Sequence, residues 1–295
     1  MQKKIHITVV GSINMDLTVT TDRMPDKGET VLGKEFATYP GGKGANQAVA
    51  AQRLGALVHL IGAVGDDRFG NALLANIRAE GIDTTGVEVK EEIATGTATI
   101  ILSEQDNRII VAPGANSYVT PDLIAKHESI IQNSDVVILQ LEIPLVTIQL
   151  VTRLANEYHV PVIINPAPYH ALPEEVYESA TFLTPNEGEA EEMAKHISFD
   201  EIRGKLIITK GSTGTVYFEE ENEKLVPAYE VTVKDTTGAG DTFNGALAVQ
   251  VGLGATREEA IRFANAAAGL SVTEIGAQKG MPTREQVLEF MKRKG

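Results

Sequence analysis

The sequence contains no cysteine, and this absence excludes several kinds of chemistry. Disulfide bonds, zinc sites held by thiolates and catalysis by a cysteine nucleophile all need this residue. Tryptophan is absent as well. The 6 histidines are scattered without the HxH or HExxH spacing that transition-metal sites use, so we expect no such metal.

Positive charge is scarce. Lysine and arginine number 26 against 40 aspartates and glutamates, which gives a formal net charge of −14. Nucleic acids and anionic lipid surfaces bind basic faces, so we expect neither as a partner. An anionic substrate would need a local positive field inside its own binding site.

Long apolar runs are also missing. No stretch approaches the roughly 18 apolar residues of a membrane helix, and the apolar run after the first two lysines is too short for the core of a signal peptide. We therefore expect a cytoplasmic protein that does not bind a membrane. The 295 residues, 43% of them hydrophobic, can bury a sizeable core in two domains or in one large α/β domain with an insertion.

Apolar stretches alternate with amphipathic ones along most of the chain. This alternation predicts strands and helices that build a mainly parallel sheet covered by helices on both faces. Two pairs of predicted strands have no helix between them, and we expect them to form a small extra sheet that projects from the α/β body. A peripheral decoration without a function fits these pairs equally well. The pairs are Asp16–Thr21 with Thr30–Thr38, and Thr95–Leu102 with Arg108–Val111.

The segment 236–243, TTGAGDTF, carries the strongest chemical signal. Its glycines let the backbone approach a ligand, and the helix predicted to begin here offers free N–H groups and a positive dipole end to an anion. Asp241 beside such an anion site suits a base that takes a proton from an attacking alcohol, although a simple helix cap is the alternative. No Walker A motif occurs, and Phe243 stands where the dinucleotide fingerprint needs a third glycine.

A second glycine-rich segment, YPGGKGANQA at 39–48, leads into a predicted helix. In a parallel sheet, ligands gather beyond the carboxyl ends of the strands. Asp16, which follows the first strand, would meet Lys43 and Asn46 there and grip vicinal hydroxyls. A tight turn with a surface lysine is the alternative.

Two further segments are candidates on the nucleotide side. A carboxylate in the segment 186–189 can hold Mg²⁺ through water, or can merely cap a helix. The segment 209–214 follows a predicted strand and would lie along a nucleotide, or simply enter a hairpin.

Together these segments resemble the ribokinase family of carbohydrate kinases, which also contains fructokinases and adenosine kinases. The resemblance spans nearly the whole chain and depends on GGKGAN at 41–46 and TTGAGD at 236–241. It implies one three-layer α/β/α domain over residues 1–295, with lid segments at 14–39 and 94–112. It also implies that ATP phosphorylates D-ribose at O5, with Mg²⁺ accompanying ATP, an activating potassium ion, and a homodimer formed through the lid.

The resemblance assigns roles to individual residues, with Asp241 as the catalytic base. At Gly280, relatives often have a serine hydroxyl that this chain lacks. The residues implied for the sugar are Asn14, Met15, Asp16, Gly42, Lys43, Gly44, Ala45, Asn46, Glu142 and Asp241. Those implied for ATP are Asn186, Thr209, Lys210, Gly211, Ser212, Thr213, Gly214, Gly238, Ala239, Gly240, Asp241 and Asn265. Those implied for potassium are Asp235, Thr237, Ser271, Glu274, Gly276 and Gly280, and Glu189 is implied for Mg²⁺ through water.

Other functions stay open at this point. The acceptor can be another sugar or a nucleoside, such as deoxyribose, fructose or adenosine. A nucleotide sensor without catalysis is a further alternative on the same fold, because fold does not determine function.

Overall fold

A computed structural model describes residues 4–103 and 106–294 of the chain. Its central sheet has six strands in the order β10-β9-β8-β1-β4-β5, and every neighbouring pair is parallel. The predicted mainly parallel sheet is therefore confirmed. The six strands are β1 (His6–Val10), β4 (Leu57–Gly65), β5 (Asp83–Lys90), β8 (Val136–Gln140), β9 (Val162–Asn165) and β10 (Phe182–Leu183).

Helices cover both faces of this sheet, and each face has its own apolar core. Successive side chains of β1 alternate between the two cores, with Val9 in one and Val10 in the other. Among the described helices, none is long and apolar enough to cross a membrane. The helices of the first face are α1 (Lys43–Arg53), α2 (Arg68–Ala79), α8 (Ala239–Gly252), α9 (Arg257–Ser271) and α10 (Arg284–Lys294). Those of the second face are α3 (Pro121–Gln132), α4 (Leu145–Glu157), α5 (Glu174–Ser179), α6 (Glu187–Met193) and α7 (Phe199–Ile202).

A second sheet of four strands, which we call the lid sheet, has the order β3-β2-β6-β7. Both predicted strand pairs are confirmed as antiparallel pairs, and β2 joins them by pairing with β6 in parallel. The predicted strand Thr30–Thr38 is wrong in its bounds, because pairing with β2 begins at Glu35 and continues to Gly41. Glu104 and Gln105, within the second lid segment, lie outside the described residues. The strands are β2 (Asn14–Thr20), β3 (Glu35–Gly41), β6 (Gly96–Ser103) and β7 (Asp106–Ala112).

The third sheet is an antiparallel hairpin extended by one strand, in the order β11-β12-β13. Parallel bridges from Leu183 to Leu206 and from Asn186 to Thr209 connect it to the end of the central sheet. Pairing between the last two strands ends at Pro227, opposite Gly214. The strands are β11 (Ile207–Thr209), β12 (Gly214–Glu219) and β13 (Asn222–Pro227).

Candidate active site

A cleft of about 750 Å³ separates the lid sheet from the helical body. On the lid side it is lined by alternate residues of the strands, including Asp16 and Thr18 of β2. On the body side it is lined by the loops 233–237 and 275–277, which flank the start of α8. The glycine-rich segment 236–241 therefore lies at the edge of a cleft that the lid sheet covers.

Glycines allow β2 and the start of α1 to approach each other closely. A Cβ atom at Gly41 would overlap the carboxylate of Asp16, so only glycine at this position leaves the carboxylate its space. Gly42 has a φ of 89°, and a Cβ there would meet the backbone N of Asn14 at 2.6 Å. The GGKG sequence is thus explained first by packing, which brings Asp16 and Lys43 close enough to interact electrostatically.

Lys43 faces four carboxylates. Burial disfavours its charge, but the surrounding carboxylates outweigh burial and raise the pKa of the ammonium group. Lys43 is therefore a fixed cation whose charge is balanced by the protein itself. The four acidic residues are Asp16, Glu142, Glu189 and Asp241.

Asp16 is the acidic residue of this cluster with a pKa close to neutrality. Burial, then repulsion from Glu142 and Asp241, raises the pKa of its carboxyl from 3.8 to about 7, against the attraction of Lys43. Glu142 is held by hydrogen bonds from the Ser12 hydroxyl and, at 3.3 Å, from the Lys43 backbone N–H. Asp16 and Glu142 are therefore both close to the charge of Lys43.

Asp241 lies in the first turn of α8 and is 8% exposed. Its Oδ2 accepts a hydrogen bond from Asn46 Nδ2 at 2.9 Å, and its Oδ1 accepts one from Gln47 Nε2 at 3.0 Å. Burial raises the pKa of the Asp241 carboxyl, while Lys43 and the two amides lower it. Asp241 also does not cap α8, because the N-cap is Gly238, so the helix-cap explanation for this aspartate is wrong.

The start of α8 has the form of an anion site. Gly238 has a φ of 80°, and a Cβ there would meet Ala277 at 2.9 Å. A Cβ at Gly240 would have no heavy atom within 4 Å, so this side of the turn is open. As in any α-helix, the N–H groups of the first turn have no intrahelical acceptor, and they carry the positive end of the dipole.

Several residues predicted for the sugar have side chains that are already engaged. Met15 and Ala45 are 5% and 1% exposed in the apolar core, so a ligand can reach only their backbones. Asn14 Oδ1 accepts a hydrogen bond from Asn116 Nδ2 at 2.7 Å. Asn46 Oδ1 accepts one from Gln278 Nε2 at 3.0 Å, which turns its amide nitrogen toward Asp241. Gly44 lies against the backbone of Gly11, where a side chain would overlap.

The nucleotide-side residues meet at the end of the central sheet. Asn186 and Glu189 form a capping box at the start of α6, in which Asn186 Oδ1 accepts from Glu189 N–H at 2.8 Å and Glu189 Oε2 accepts from Asn186 N–H at 2.9 Å. Glu189 nevertheless interacts electrostatically with Lys43 and Asp241, so its carboxylate is close enough to both to sense their charges.

The predicted nucleotide loop runs directly beside this helix start. Thr209 pairs with Asn186, and the loop that follows is an exposed 3₁₀ turn, Gly211–Thr213. Asn265 lies beneath it, with Oδ1 accepting from Thr215 Oγ1 at 2.7 Å and Nδ2 donating to the Val226 carbonyl at 3.0 Å. A direct ATP contact by Asn265 stays a prediction. The loop residues in the prediction are Thr209, Lys210, Gly211, Ser212, Thr213 and Gly214.

The residues predicted for potassium lie on the loop before α8 and, from Ser271 at the end of α9, along the segment that follows that helix, and Asp235 joins the two. Its Oδ1 accepts from the N–H of Thr237 at 2.9 Å and from its hydroxyl at 2.7 Å, and its Oδ2 accepts from Gly276 N–H at 2.8 Å. Burial disfavours the charge of Asp235, but these hydrogen bonds outweigh it and lower the pKa. A Cβ at Gly280 would overlap the Ser271 carbonyl, so a serine would not fit here without a backbone shift.

Sequence reasoning missed the polar residues that hold these groups from behind. Ser12, Gln47, Asn116 and Gln278 each contact a predicted site residue, yet none belongs to the predicted set. For Gln47 the available signal was its position, since it directly follows Asn46 in the glycine-rich segment 39–48.

Comparisons with known proteins agree with this geometry. Residues 4–284 match the model of the pfkB family of carbohydrate kinases. The chain is 47% identical over 290 residues to the ribokinase of Bacillus subtilis, covering 97% of this chain and 99% of that protein. The structure of Arabidopsis thaliana ribokinase complexed with ribose and ATP superposes with a TM-score of 0.90 at 32% identity, covering 98% and 99% of the two chains. A deoxyribokinase of Salmonella typhi is 33% identical over 302 residues, covering 97% and 99%.

Because the family model covers nearly all of the chain, the protein belongs to the pfkB family of carbohydrate kinases.

Proposed function

We propose that this protein transfers the γ-phosphate of ATP to O5 of D-ribose and releases D-ribose 5-phosphate and ADP. The observation that carries the proposal is a buried carboxylate, Asp241, in the first turn of a helix whose N-terminus forms an anion site. The similarity to ribokinases over nearly the full length of both chains supports ribose as the acceptor.

The chemistry follows from the placement of the groups. Asp241 takes the proton of the sugar hydroxyl as the oxygen attacks the γ-phosphorus, and the electron pair of the broken P–O bond leaves with ADP. The amides at the start of α8 stabilise the charge that develops on the phosphoryl oxygens. Asp16, with Lys43 and Glu142 beside it, would hold the ribose hydroxyls at the floor of the cleft.

Mg²⁺ bound with ATP would neutralise phosphate charge. Glu189 fits a water-mediated contact, because one of its carboxylate oxygens is used in the capping box while the group faces Lys43 and Asp241.

We extend the proposal to a potassium ion beside the anion site. Asp235 and Thr237 lie on the loop that precedes Gly238, and Asp235 joins this loop to Gly276 in the segment after α9, whose last residue is Ser271. An ion held by oxygens of these residues would stiffen the loop that precedes Gly238. Glu274 is exposed and its carboxylate is 3.5 Å from Lys234 Nζ, so it would contribute through its backbone. Within the described residues, no cluster of three or more His, Asp or Glu suits a metal ion, and potassium held mainly by carbonyls does not need one.

We also propose that the lid sheet pairs two copies of the chain in a homodimer. The sheet exposes large apolar side chains, among them Phe36 at 66% and Ile110 at 67%, and contiguous exposed apolar surface marks an interaction site. The same sheet would exclude water from the transfer step, since water competes with the sugar as acceptor. We place the protein in the cytoplasm, where its nucleotide substrate is available.

The test is ADP release measured with D-ribose, 2-deoxyribose, fructose and adenosine as acceptors. Ribose should give the highest kcat/KM, and its phosphorylated product should carry the phosphate on O5. The absence of turnover with ribose would refute the proposal.

Deoxyribose is the second candidate, because a deoxyribokinase is among the relatives. It lacks one hydroxyl, so it would leave a hydrogen-bond acceptor of the sugar site unpaired, and ribose should be preferred by about tenfold or more.

A further inference from the structure

A chain of buried polar side chains lies directly beneath Asp241 and is centred on Gln47. Gln47 is in α1 and has no exposed surface. Its Nε2 donates to Asp241 Oδ1 at 3.0 Å and to Asn165 Oδ1 at 3.1 Å, and its Oε1 accepts from Gln140 Nε2 at 2.7 Å. Both amide hydrogens of Gln47 and its carbonyl oxygen are thus used by three different elements of the fold.

The direction of these hydrogen bonds follows from the carboxylate at the end of the chain. An ionised carboxylate only accepts, so the amide nitrogen of Gln47 must face Asp241. Its carbonyl oxygen then faces Gln140, which must turn its own nitrogen toward Gln47. A reversed Gln47 would place its oxygen against both Asp241 and Asn165.

This arrangement leaves one acceptor without a partner. Among the buried side-chain nitrogen and oxygen atoms of the described residues, Gln140 Oε1 alone has no hydrogen-bond partner within the protein, and it occupies the space that a Cβ at Gly11 would need. A buried unpaired oxygen is costly. Gln140 is at the opposite end of this series of hydrogen bonds from Asp241. The unpaired oxygen therefore does not affect the donors to the Asp241 carboxylate.

We propose that Gln47 is a positioning residue for the base, which fixes the rotation of the Asp241 carboxylate and keeps it ready to accept the proton of the sugar hydroxyl. Asn46, which Gln278 orients, holds the other oxygen, so the two amides together leave the carboxylate a single orientation. The inference rests on the proposed function, because it gives Gln47 its role through the proton transfer to Asp241.

Other charged groups also face Asp241. Lys43 of α1 favours its ionised form, whereas the acidic groups of Asp16 in β2 and Glu189 in α6 disfavour it. Glu142, after β8, faces Lys43 of the same cluster. All four residues remain in a Gln47 variant, so a difference between variant and parent reports on the amide alone.

The experiment compares Gln47→Met with Gln140→Met. Both variants remove a buried amide from the same chain of hydrogen bonds, but only the first removes a donor to Asp241. Single-turnover rates at saturating ribose and ATP, measured across the acid limb of the pH profile, report the ionisation of the base in the ternary complex. We expect Gln47→Met to move the limb upward by about one pH unit or more, since a hydrogen bond to a charged group contributes about 1.5–3 kcal/mol. Gln140→Met should leave the limb in place, because Asn165 still holds Gln47.

Gln47→Glu is the second variant if Gln47→Met does not fold. It keeps the shape but brings a second carboxyl within hydrogen-bond distance of Asp241, so the limb should move further upward. An acid limb at the parental pH in whichever variant folds would overturn the proposal, and so would an equal shift in Gln140→Met.

A second measurement separates this inference from the choice of substrate. The ¹³C resonance of the Asp241 carboxyl, followed against pH in the ligand-free protein, should titrate higher in Gln47→Met than in the parent. This result does not depend on ribose being the acceptor, so a protein inactive on ribose would refute the proposed function and still test Gln47. Equal titration midpoints in parent and variant would refute the role of Gln47.

Discussion

Asp16 allows a quantitative prediction about pH. Burial and the neighbouring carboxylates raise the pKa of its carboxyl to about 7 in the protein without sugar, so the group is protonated in acid and ionised above neutrality. Only the ionised form accepts hydrogen bonds with both oxygens from two sugar hydroxyls. The kcat/KM for ribose should therefore rise about tenfold per pH unit below pH 7 and become level above about pH 8, where roughly nine tenths of the group is ionised.

The stability of the folded protein depends on pH in the opposite direction to sugar binding. Because the folded protein holds the Asp16 proton more tightly than the unfolded chain, its contribution to stability is present below the ordinary value of 3.8 and is lost as pH rises through about 7. Sugar binding and folding thus favour different ionisation states of one carboxyl. Thermal unfolding with and without ribose should show a larger stabilisation by ribose at pH 8 than at pH 6.

The matched variant is Asp16→Asn, which keeps the shape and removes the charge. Charge-assisted hydrogen bonds contribute about 1.5–3 kcal/mol each, so KM for ribose should rise at least tenfold while KM for ATP hardly moves. The assay is kcat/KM for ribose from about pH 5.5 to 9 at constant ionic strength. A limb near pH 7 that persists unchanged in Asp16→Asn would belong to another group and refute the reasoning.

Three further predictions concern the base, the cation and the lid. Asp241→Asn keeps the shape but removes the proton acceptor, so kcat should fall by about 10²–10⁴-fold with little change in ATP binding; a kcat within about threefold of the parent would contradict the assigned role. Activity should be higher in potassium than in sodium or tetramethylammonium chloride at matched ionic strength, and Asp235→Ala should abolish the difference; equal parental rates in all three salts would exclude the potassium site. The protein should sediment as a dimer at micromolar concentration, and Ile110→Lys should shift it toward monomer; a parental monomer would exclude the lid interface.

The strands of the central sheet were predictable where they are mainly apolar. The β8 strand, VVILQ, is apolar up to Gln140, and β1, HITVV, has apolar residues at three of its five positions. Edge strand β5 was not predicted as a strand, because its sequence DTTGVEVK is largely polar and contains a glycine. Helix α3 was missed as well, although Thr120 before Pro121 is a common helix start.

Pairing across long separations was not predictable. The lid depends on β2 pairing with β6, with Asn14 opposite Gly96, and no local pattern specifies a partner so distant in the chain. The amide chain behind Asp241 is similar, since Gln47, Gln140 and Asn165 come from three elements. A polar residue inside an apolar helix or strand shows only that it needs a hydrogen-bond partner. Which residue is the partner depends on the tertiary structure.

The charge of the site explains how so acidic a chain can bind a nucleotide. Lys43 has four carboxylates around it, so its charge is largely balanced within the protein and leaves little attraction for phosphate. The start of α8 supplies a positive field of its own, because it has an open side at Gly240 and needs no basic side chain. The same dipole favours the ionised form of Asp241 in the first turn, where burial opposes it. One helix terminus thus serves both the phosphate and the base. In the motif GAGD at 238–241, the glycine on the open side of the turn directly precedes the aspartate that acts as base.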